Sequence, residues 1–324
     1  MSAGAIVLGG HEVPAGSRRD LELPIARLPH GAQAALPVVV VHGRQPGPGL
    51  WLTAALHGDE LTGVEVIRRV LARVTPDKLV GSLVAVPMVN VFGVTEGSRY
   101  LPDRRDLNRS FPGSRNGSLA SRLAHLLMTE VVTKGSVGID LHSGSDHRGN
   151  LPQVRAALDD PRTRELALTF GAPVLIDAKQ RSGSLRGEAG KRGATVLLYE
   201  GGGAHAYDEG AVGAGVEGVR RVMAALGMTP TATVESAPPS AVSTLTRWSR
   251  ARRGGLFRAE VALGARVKQG QRVGTVADAV GRTVARITAR TEGLVIGLRT
   301  NPVVFQGDAL VHVAAVEPGQ DASA

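Results

Sequence analysis

Leu50-Trp51-Leu52-Thr53-Ala54-Ala55-Leu56-His57-Gly58-Asp59-Glu60 is the stretch that decides the fold. The run up to Leu56 is apolar on both faces, a pattern typical of a buried strand in a parallel sheet. From Leu61 onward, apolar residues recur at helical spacing. The segment His57–Glu60 is therefore predicted to lie between the carboxyl end of a strand and the first turn of a helix. Open α/β sheets bind their ligands at such positions.

His57 and Glu60 form a candidate metal-binding pair. An imidazole and a carboxylate three positions apart can converge on one ion, as His and Asp/Glu do in catalytic zinc sites. Taken alone, this spacing is more often that of a surface pair, so the chain must also supply a third ligand and a base. The chain has no cysteine, which restricts any metal site to histidines and carboxylates.

A second buried strand, within residues 135–144, also ends in a histidine, His142. His142 lies 82 residues after Glu60, and this spacing suits a zinc site with a short ligand pair and one distant third ligand. Asp140 lies on the same strand two residues earlier. We interpret it as a carboxylate that does not bind the metal itself but orients the residues that do. The alternative is a cap at the end of the strand.

Glu200 is the candidate general base. It ends the last buried strand of the α/β part, at Tyr199-Glu200, and three glycines follow it. A carboxylate at the end of so apolar a strand is costly unless it is hydrogen-bonded or functional. A buried carboxylate with a raised pKa suits the role of a base near neutral pH.

The loop of residues 97–115 is longer than a simple connection requires, which is typical of a functional loop. Within it, residues 98–113 hold one asparagine, Asn108, and four closely spaced arginines: Arg99, Arg104, Arg105 and Arg109. The planar guanidinium matches a carboxylate bidentately, so the loop could clamp an anionic substrate. Alternatively, Asp103 and Asp106 neutralise these arginines in surface pairs. The spacing alone leaves both interpretations open.

The order of segments predicts an α/β fold with a mixed, mostly parallel, doubly wound sheet and a second, smaller all-β domain. We expect a catalytic domain over residues 1–228, a Pro-containing linker over 229–243 and the β domain over 244–324. Further strands are predicted at 37–43, 81–90, 173–177 and 195–203. Helices are predicted at 118–134, 162–171, 184–190 and 209–226.

Composition narrows the classes of partner. The 324 residues carry a formal charge of +9, but the arginines are scattered and aromatic content is 3%, which argues against a nucleic-acid-binding surface. The chain start has no basic region of a signal peptide, and no apolar run approaches the roughly 18 residues of a membrane span. We therefore predict a cytoplasmic protein that contacts neither nucleic acid nor membrane. Whether it forms a homo-oligomer is left open.

Four motifs occur in one order: His-Gly-Asp-Glu at 57–60, Asp-Leu-Asn-Arg-Ser-Phe-Pro-Gly at 106–113, Asp-Leu-His at 140–142, and Tyr-Glu at 199–200. Together they resemble the succinylglutamate desuccinylase/aspartoacylase family, a branch of the zinc carboxypeptidase clan. The resemblance covers roughly residues 35–228. It implies that one Zn²⁺ per chain is bound by His57, Glu60 and His142, with water in the fourth position.

The resemblance also assigns roles to substrate-facing residues. It implies that Glu200 activates the water and then protonates the leaving amine, and that Arg99 polarises the scissile carbonyl. Asn108 and Arg109 match the pair that binds the substrate carboxylate. Arg186 matches a further carboxylate-binding arginine, although its spacing to Glu200 differs from the family pattern. Tyr100, next to Arg99, is assigned to substrate binding, with a structural role as the alternative.

The function implied is hydrolysis of the amide bond of a small, anionic N-acyl amino acid. Two alternatives stay open, a zinc carboxypeptidase acting on short peptides and a non-catalytic zinc-binding protein. The β domain resembles a barrel-sandwich hybrid or hammerhead of the biotinyl/lipoyl type. A carrier domain needs a lysine at the hairpin tip, and residues 278–283 contain none.

Overall fold

The computed structural model describes residues 4–316. Up to residue 226 the strands are β1 (Ile6–Leu8), β2 (His11–Val13), β3 (Ser17–Arg27), β4 (Gln33–His42), β5 (Gln45–Ala54), β6 (Val80–Val86), β7 (Val137–His142), β8 (Arg148–Ala156), β9 (Val174–Asp177) and β10 (Thr195–Gly203). The helices are α1 (Thr62–Leu71), α2 (Val91–Glu96), α3 (Leu119–Leu126), α4 (Pro161–Phe170), α5 (Leu185–Gly190) and α6 (Glu209–Ala225). The remaining strands are β11 (Ala241–Ser243), β12 (Thr246–Arg250), β13 (Gly255–Ala259), β14 (Arg266–Val267), β15 (Arg272–Ala277), β16 (Thr283–Thr288), β17 (Gly293–Arg299), β18 (Val303–Val304) and β19 (Ala309–Ala314).

One large mixed sheet forms the frame of the molecule, with strand order β12-β19-β17-β8-β10-β7-β5-β6-β4-β3. Strands β6, β5, β7 and β10 pair in parallel at its centre. Antiparallel strands continue it on both sides, β4 and β3 beyond β6, and β8, β17, β19 and β12 beyond β10. The predicted mixed sheet is confirmed, and its antiparallel parts extend further than the sequence indicated.

Helices cover both faces of the sheet, as predicted for a doubly wound fold. Along β5, Leu50 and Leu52 pack into one apolar core with residues of α1, α4 and α6. Between them, Trp51 packs into the opposite core with residues of α3 and α5. Alternate side chains of a strand point to opposite faces, so a strand buried on both sides must be apolar throughout. This explains why β5 has no polar alternation.

A separate antiparallel β region follows the α/β part. Strands β16, β15, β13 and β18 form their own sheet, and a third apolar core forms around residues such as Phe257, Val273 and Val311. The region is also joined to the main sheet, because β17 pairs with β8. The boundaries at 228 and 244 stay a prediction, and the segment expected to be a linker contains β11, which pairs with β9.

Several elements were not predicted from the sequence. Strand β8 reads Arg148-Gly149-Asn150-Leu151-Pro152-Gln153-Val154-Arg155-Ala156, where glycine, proline and polar residues hide the strand pattern. Helix α2 is only six residues long and begins at Asn90, whose side chain accepts a hydrogen bond from the Gly93 N–H. The helix predicted at 118–134 consists of α3 followed by a π-helical turn (Leu127–Val131) and a 3₁₀ turn (Val132–Lys134).

None of the helices between residues 4 and 316 combines the length and the apolar character needed to cross a membrane. The cytoplasmic location stays a prediction.

Gly58 allows a contact between backbones that fixes the turn after β5. A Cβ at this position would lie 1.9 Å from the carbonyl carbon of Gly93. We therefore expect Gly58→Ala to lower the free energy of unfolding by about 1–3 kcal/mol, the usual range for overpacking. A matched control is Gly213→Ala in α6, where a Cβ meets open space. Denaturant melts should show no loss for this control, since alanine favours a helix by up to ~1 kcal/mol over glycine. Equal destabilisation of both variants would contradict the expectation.

Candidate metal centre and active site

The chain turns sharply after β5 and thereby brings His57 into the interior. Ala55 adopts a left-handed φ of +50°, an unusual conformation for a residue with a side chain. The carbonyl groups of Ala54 and Ala55 accept hydrogen bonds from Val89 and Asn90, and the Gly58 N–H donates to the Ser98 carbonyl. These bonds hold the turn against the segment that follows β6.

His57, Glu60 and His142 form a buried cluster at the carboxyl ends of β5 and β7. Nδ1 of His57 lies 2.7 Å from Oε1 of Glu60, and Nδ1 of His142 lies 2.6 Å from Oε2 of the same carboxylate. One potential ligand atom from each residue lies within 4.8 Å of the other two. The structure therefore brings together the three residues predicted to bind the metal.

The outer nitrogens of both imidazoles face carboxylates. Nε2 of His57 lies 3.1 Å from Oδ1 of Asp106, and Nε2 of His142 lies 2.9 Å from Oδ2 of Asp140. The Thr53 hydroxyl donates to the other oxygen of Asp140 at 2.8 Å. When each Nε2–H donates to its carboxylate, each Nδ1 lone pair is directed at the shared space. Metal-binding histidines are commonly oriented in this way.

The electrostatics of the cluster also suit a cation. Burial opposes charge on His57 and His142, but the carboxylates of Glu60, Asp106 and Asp140 outweigh it and raise the pKa of both imidazoles. Burial likewise opposes charge on Glu60, yet the two imidazoles hold the pKa of this carboxyl well below its usual range. A bound metal would compete with protons for the imidazole nitrogens. Two imidazoles and one carboxylate within 4.8 Å of one another are typical ligands of a divalent ion, so the donor set fits a metal.

Glu200 pairs with His142 of β7, and β10 continues beyond it to Gly203, so the predicted strand end lies three residues further on. The Glu200 carboxylate accepts a hydrogen bond of 2.6 Å from the Asn150 amide and lies 3.9 Å from Nε of Arg155. Burial raises the pKa of Glu200 despite the nearby Arg155 guanidinium. The raised pKa agrees with the expectation from the sequence, and the side chain borders the same cavity as the metal cluster.

The predicted carboxylate-binding residues border this cavity too. Oδ1 of Asn108 accepts a hydrogen bond from the Leu185 N–H, which leaves the amide NH₂ group to act as a donor. Arg109 donates to the Asn108 carbonyl, and no carboxylate pairs with Arg109 among residues 4–316. Arg186 is buried and donates to the carbonyl groups of Ala178 and Lys179. Burial lowers the pKa of both arginines.

Arg99 and Tyr100 are placed differently. Arg99 borders the cavity, donates to Asp106 at 2.9 Å and lies 3.5 Å from Glu60. Asp106 therefore does neutralise an arginine, as the second interpretation of the loop proposed, while it also contacts His57. Tyr100 is 45% exposed and does not border the cavity. We leave it out of the proposed site.

The cavity measures about 380 Å³ and is strongly cationic. Of its charged lining, two side chains are carboxylates, Glu60 and Glu200. The basic lining residues are Arg99, Arg109, Arg148, Arg155, Lys179, Arg181 and Arg186. Such an excess of positive charge attracts anionic ligands.

Several residues of this site were not identified from the sequence, and five of them come from strands outside the parallel centre of the sheet. Arg148, Asn150 and Arg155 come from β8, the strand whose pattern was obscured, and Trp248 and His312 come from β12 and β19. Apolar and polar residues do not alternate regularly along β8, so its sequence gives only a weak strand signal. The one feature of the sequence that could have drawn attention to Trp248 is its rarity, since the chain has two tryptophans.

The sequence model of the succinylglutamate desuccinylase/aspartoacylase catalytic domain matches residues 46–226, more than half of the chain. The chain belongs to this family, as the motifs predicted. A relative from Halomonas elongata, named N-alpha-acetyl-L-2,4-diaminobutyric acid deacetylase, is 28% identical over 309 residues, which cover 91% of this chain and 90% of the relative.

Solved structures share the fold over nearly the whole chain. The succinylglutamate desuccinylase/aspartoacylase from Rhodobacter sphaeroides is 26% identical, with a TM-score of 0.83, and the match covers 93% of this chain and 96% of that one. The product-bound ectoine utilization protein EutE (DoeB) from Ruegeria pomeroyi is 24% identical, with a TM-score of 0.84 and coverage of 94% and 97%. Both likenesses include the separate β region as well as the α/β part.

Metal analysis tests the cluster. His142→Ala removes one of three ligands, so we expect the purified protein to lose its bound metal. Asp140→Asn keeps the ligands but weakens the partner of His142, and its metal affinity should fall by about 10- to 100-fold. His30→Ala, in an exposed turn, is the matched control. Full metal occupancy of His142→Ala would show that the ligand set is wrong.

Proposed function

We propose that the protein is a zinc-dependent amidohydrolase that hydrolyses an N-acyl amino acid to a carboxylate and a free amine. One observation carries the proposal: a buried His57–Glu60–His142 group and the partly buried carboxylate of Glu200 border one small, cationic cavity. Membership of a family named for desuccinylase and aspartoacylase activity supports it, as does the name of the Halomonas elongata relative.

His57, Glu60 and His142 would hold the zinc ion. Bound zinc acidifies a coordinated water to a pKa of about 7 and polarises a carbonyl group. Asp106 and Asp140 keep the two imidazoles in the tautomer that leaves Nδ1 free for the metal.

Glu200 would take the proton of the attacking water and deliver it to the leaving nitrogen. Burial raises the pKa of its carboxyl, so that the group can hold this proton between the two steps. The Asn150 amide, 2.6 Å away, fixes which carboxylate oxygen faces the cavity. Arg99 would donate to the oxyanion that develops on the carbonyl oxygen. Its contact with Asp106 keeps the guanidinium beside Glu60.

Asn108 and Arg109 would bind the carboxylate of the amino acid, and Arg186 would attract a further negative charge. Seven basic residues against two carboxylates favour a substrate with more than one negative charge. A substrate with a second amine, such as the one in the name of the Halomonas elongata relative, would meet charge of the same sign. We therefore propose the relative's type of reaction on a more acidic substrate.

Glu200→Gln tests the reaction. We expect the variant to keep its zinc and to bind N-acetyl amino acids, while its rate falls by at least about 10²–10⁴-fold because both proton transfers fail. The measurement is hydrolysis of an N-acetyl amino acid panel, with and without a chelator. Glu22→Gln, an exposed glutamate of β3, is the matched control and should behave as the wild type. Loss of zinc from Glu200→Gln would make Glu200 a ligand, and full activity would refute its role as the base.

Arg109→Ala separates the carboxylate clamp from a structural loop. An arginine–carboxylate bond is worth about 1.5–3 kcal/mol, so binding of an N-acetyl amino acid should weaken by roughly one to two decades. The matching amide without a free carboxylate should be nearly unaffected. Arg99→Ala should instead lower kcat for both substrates by a similar factor, because its partner charge exists only in the transition state. Arg115→Ala, an exposed residue of the same loop, is the control. Equal loss on acid and amide in Arg109→Ala would make the loop structural.

A further inference from the structure

A row of paired residues connects Glu200 to the C-terminal β region. Asn150 of β8, the hydrogen-bond donor to Glu200, lies directly opposite Gly297 of β17. Gly297 lies opposite His312 of β19, and His312 lies opposite Trp248 of β12. Trp248 and His312 both border the catalytic cavity. The β region therefore supplies part of the cavity wall.

We call Trp248 and His312 the wall, and contacts of their rings fix its geometry. The rings of Trp248 and His312 stack with centroids 4.3 Å apart and planes 10° apart. The guanidinium of Arg148 lies 5.8 Å from the centre of the Trp248 ring, within the range of a cation–π contact. Burial, together with Arg155 and Arg148, lowers the pKa of His312 to about 3. His312 is thus neutral near pH 7 and supports the indole as an uncharged ring.

Gly297 leaves room for the indole to cover the sheet. A Cβ at residue 297 would lie 3.2 Å from Oδ1 of Asn150 and 3.5 Å from Cη2 of Trp248. The edge of the indole thus reaches over β19 as far as β17, the strand next to Asn150. Apart from Trp248, the apolar side chains that border the cavity are small or aliphatic, Ala178 and Leu198.

The carboxylate clamp, Asn108 and Arg109, and the wall formed by Trp248 and His312 connect to different histidines of the metal-binding group. Asp106 contacts His57 of the cluster and caps the 3₁₀ turn Leu107–Arg109, which holds Asn108 and Arg109. At the other histidine, Glu200 is adjacent to His142 and is held by Asn150. A substrate whose carboxylate binds at Arg109 places its amino acid half near His57. In the pose we infer, its acyl half extends towards His142, Glu200 and Asn150.

We propose that Trp248 is a specificity-determining residue whose indole forms the wall against the acyl group and limits its length. The proposal rests on the proposed amidohydrolase function. A short acyl group contacts the flat face of the indole, whereas each added methylene meets a ring that the stack with His312 prevents from moving aside. The C-terminal β region would in this way select the acyl group, while the loop of residues 97–115 selects the amine.

The test compares the wild type with Trp248→Ala on two substrate series. One series varies the acyl group on one amine: N-acetyl-, N-propionyl- and N-butyryl-L-aspartate. The other varies the amine on one acyl group: N-acetyl-L-aspartate, N-acetyl-L-glutamate and N-acetyl-L-alanine. We expect Trp248→Ala to raise the ratio of kcat/KM for butyryl over acetyl by at least about tenfold, the discrimination that one methylene in a pocket provides. The order of preference among amines should not change.

Two further variants keep the result interpretable. Trp248→Phe retains an aromatic ring for packing and should give a smaller shift in the same direction. Arg247→Ala lies on the same strand, is exposed and does not border the catalytic cavity, so its substrate profile should match the wild type. An unchanged acyl ratio in both Trp248 variants overturns the proposal, and so does a changed amine order. If the wild type hydrolyses no member of either series, the proposed function fails and this proposal fails with it.

Binding provides a readout that does not need turnover. The chain has two tryptophans, and the other, Trp51, is fully buried in the core. In a Glu200→Gln background, N-butyryl-L-aspartate should change the tryptophan emission, and free L-aspartate, which lacks an acyl group, should change it less. Replacing Trp248 by phenylalanine should abolish the difference. Binding detected by calorimetry without a change in emission would overturn the contact.

Discussion

The carboxylate of Glu60 is the group on which the site depends. It is 3% exposed, and a carboxylate so buried is tolerated only when positive or hydrogen-bonding partners surround it. His57 and His142 supply the partners. A second carboxylate orients each imidazole through its Nε2 atom. This requirement extends outwards through the fold, because Asp140 needs Thr53 of β5 and Asp106 needs the loop that follows α2. Neighbouring Asp59 binds the loop after β7 through Ser145 and accepts from His205 after β10. The turn after β5 thus ties three strand ends together.

The arginines of the cavity repel one another, and backbone carbonyl groups stabilise the buried ones. Arginines near one another repel, and Arg186 is buried beside Arg155 with no carboxylate within salt-bridge distance in the part of the chain that the structure describes. Two carbonyl groups satisfy its guanidinium without cancelling its charge. A carboxylate in their place would stabilise the empty cavity but would compete with an anionic substrate. The use of neutral acceptors keeps the charge available for binding.

The sequence predicted those parts of the site in which a polar residue interrupts a buried strand. His142 and Glu200 each follow a mainly apolar run, where a polar side chain is costly unless it is hydrogen-bonded or functional, and His57 follows another such run. Residues on β8 gave no comparable signal, because Gly149, Pro152 and the polar side chains that face the cavity remove the apolar pattern. Trp248 was missed because β12 has only five residues, and the position of its side chain depends on the pairing of β12 with β19. Asp106 was treated as a counter-charge for arginines, since its contact with His57 depends on a loop conformation that spacing cannot predict.

Continuity of the sheet explains how a separate β region can influence the chemistry. Had this region been attached only through the chain around residues 229–243, its position would depend on that segment and on the short pairing of β11 with β9. Instead, β17 pairs with β8 directly opposite Asn150, so the β region and the residue that orients Glu200 share one hydrogen-bonded ladder. A displacement of β17 would move Asn150 and Trp248 together. We therefore expect the width of the cavity and the orientation of Glu200, the proposed base, to be coupled, because both depend on the register of the same pair of strands.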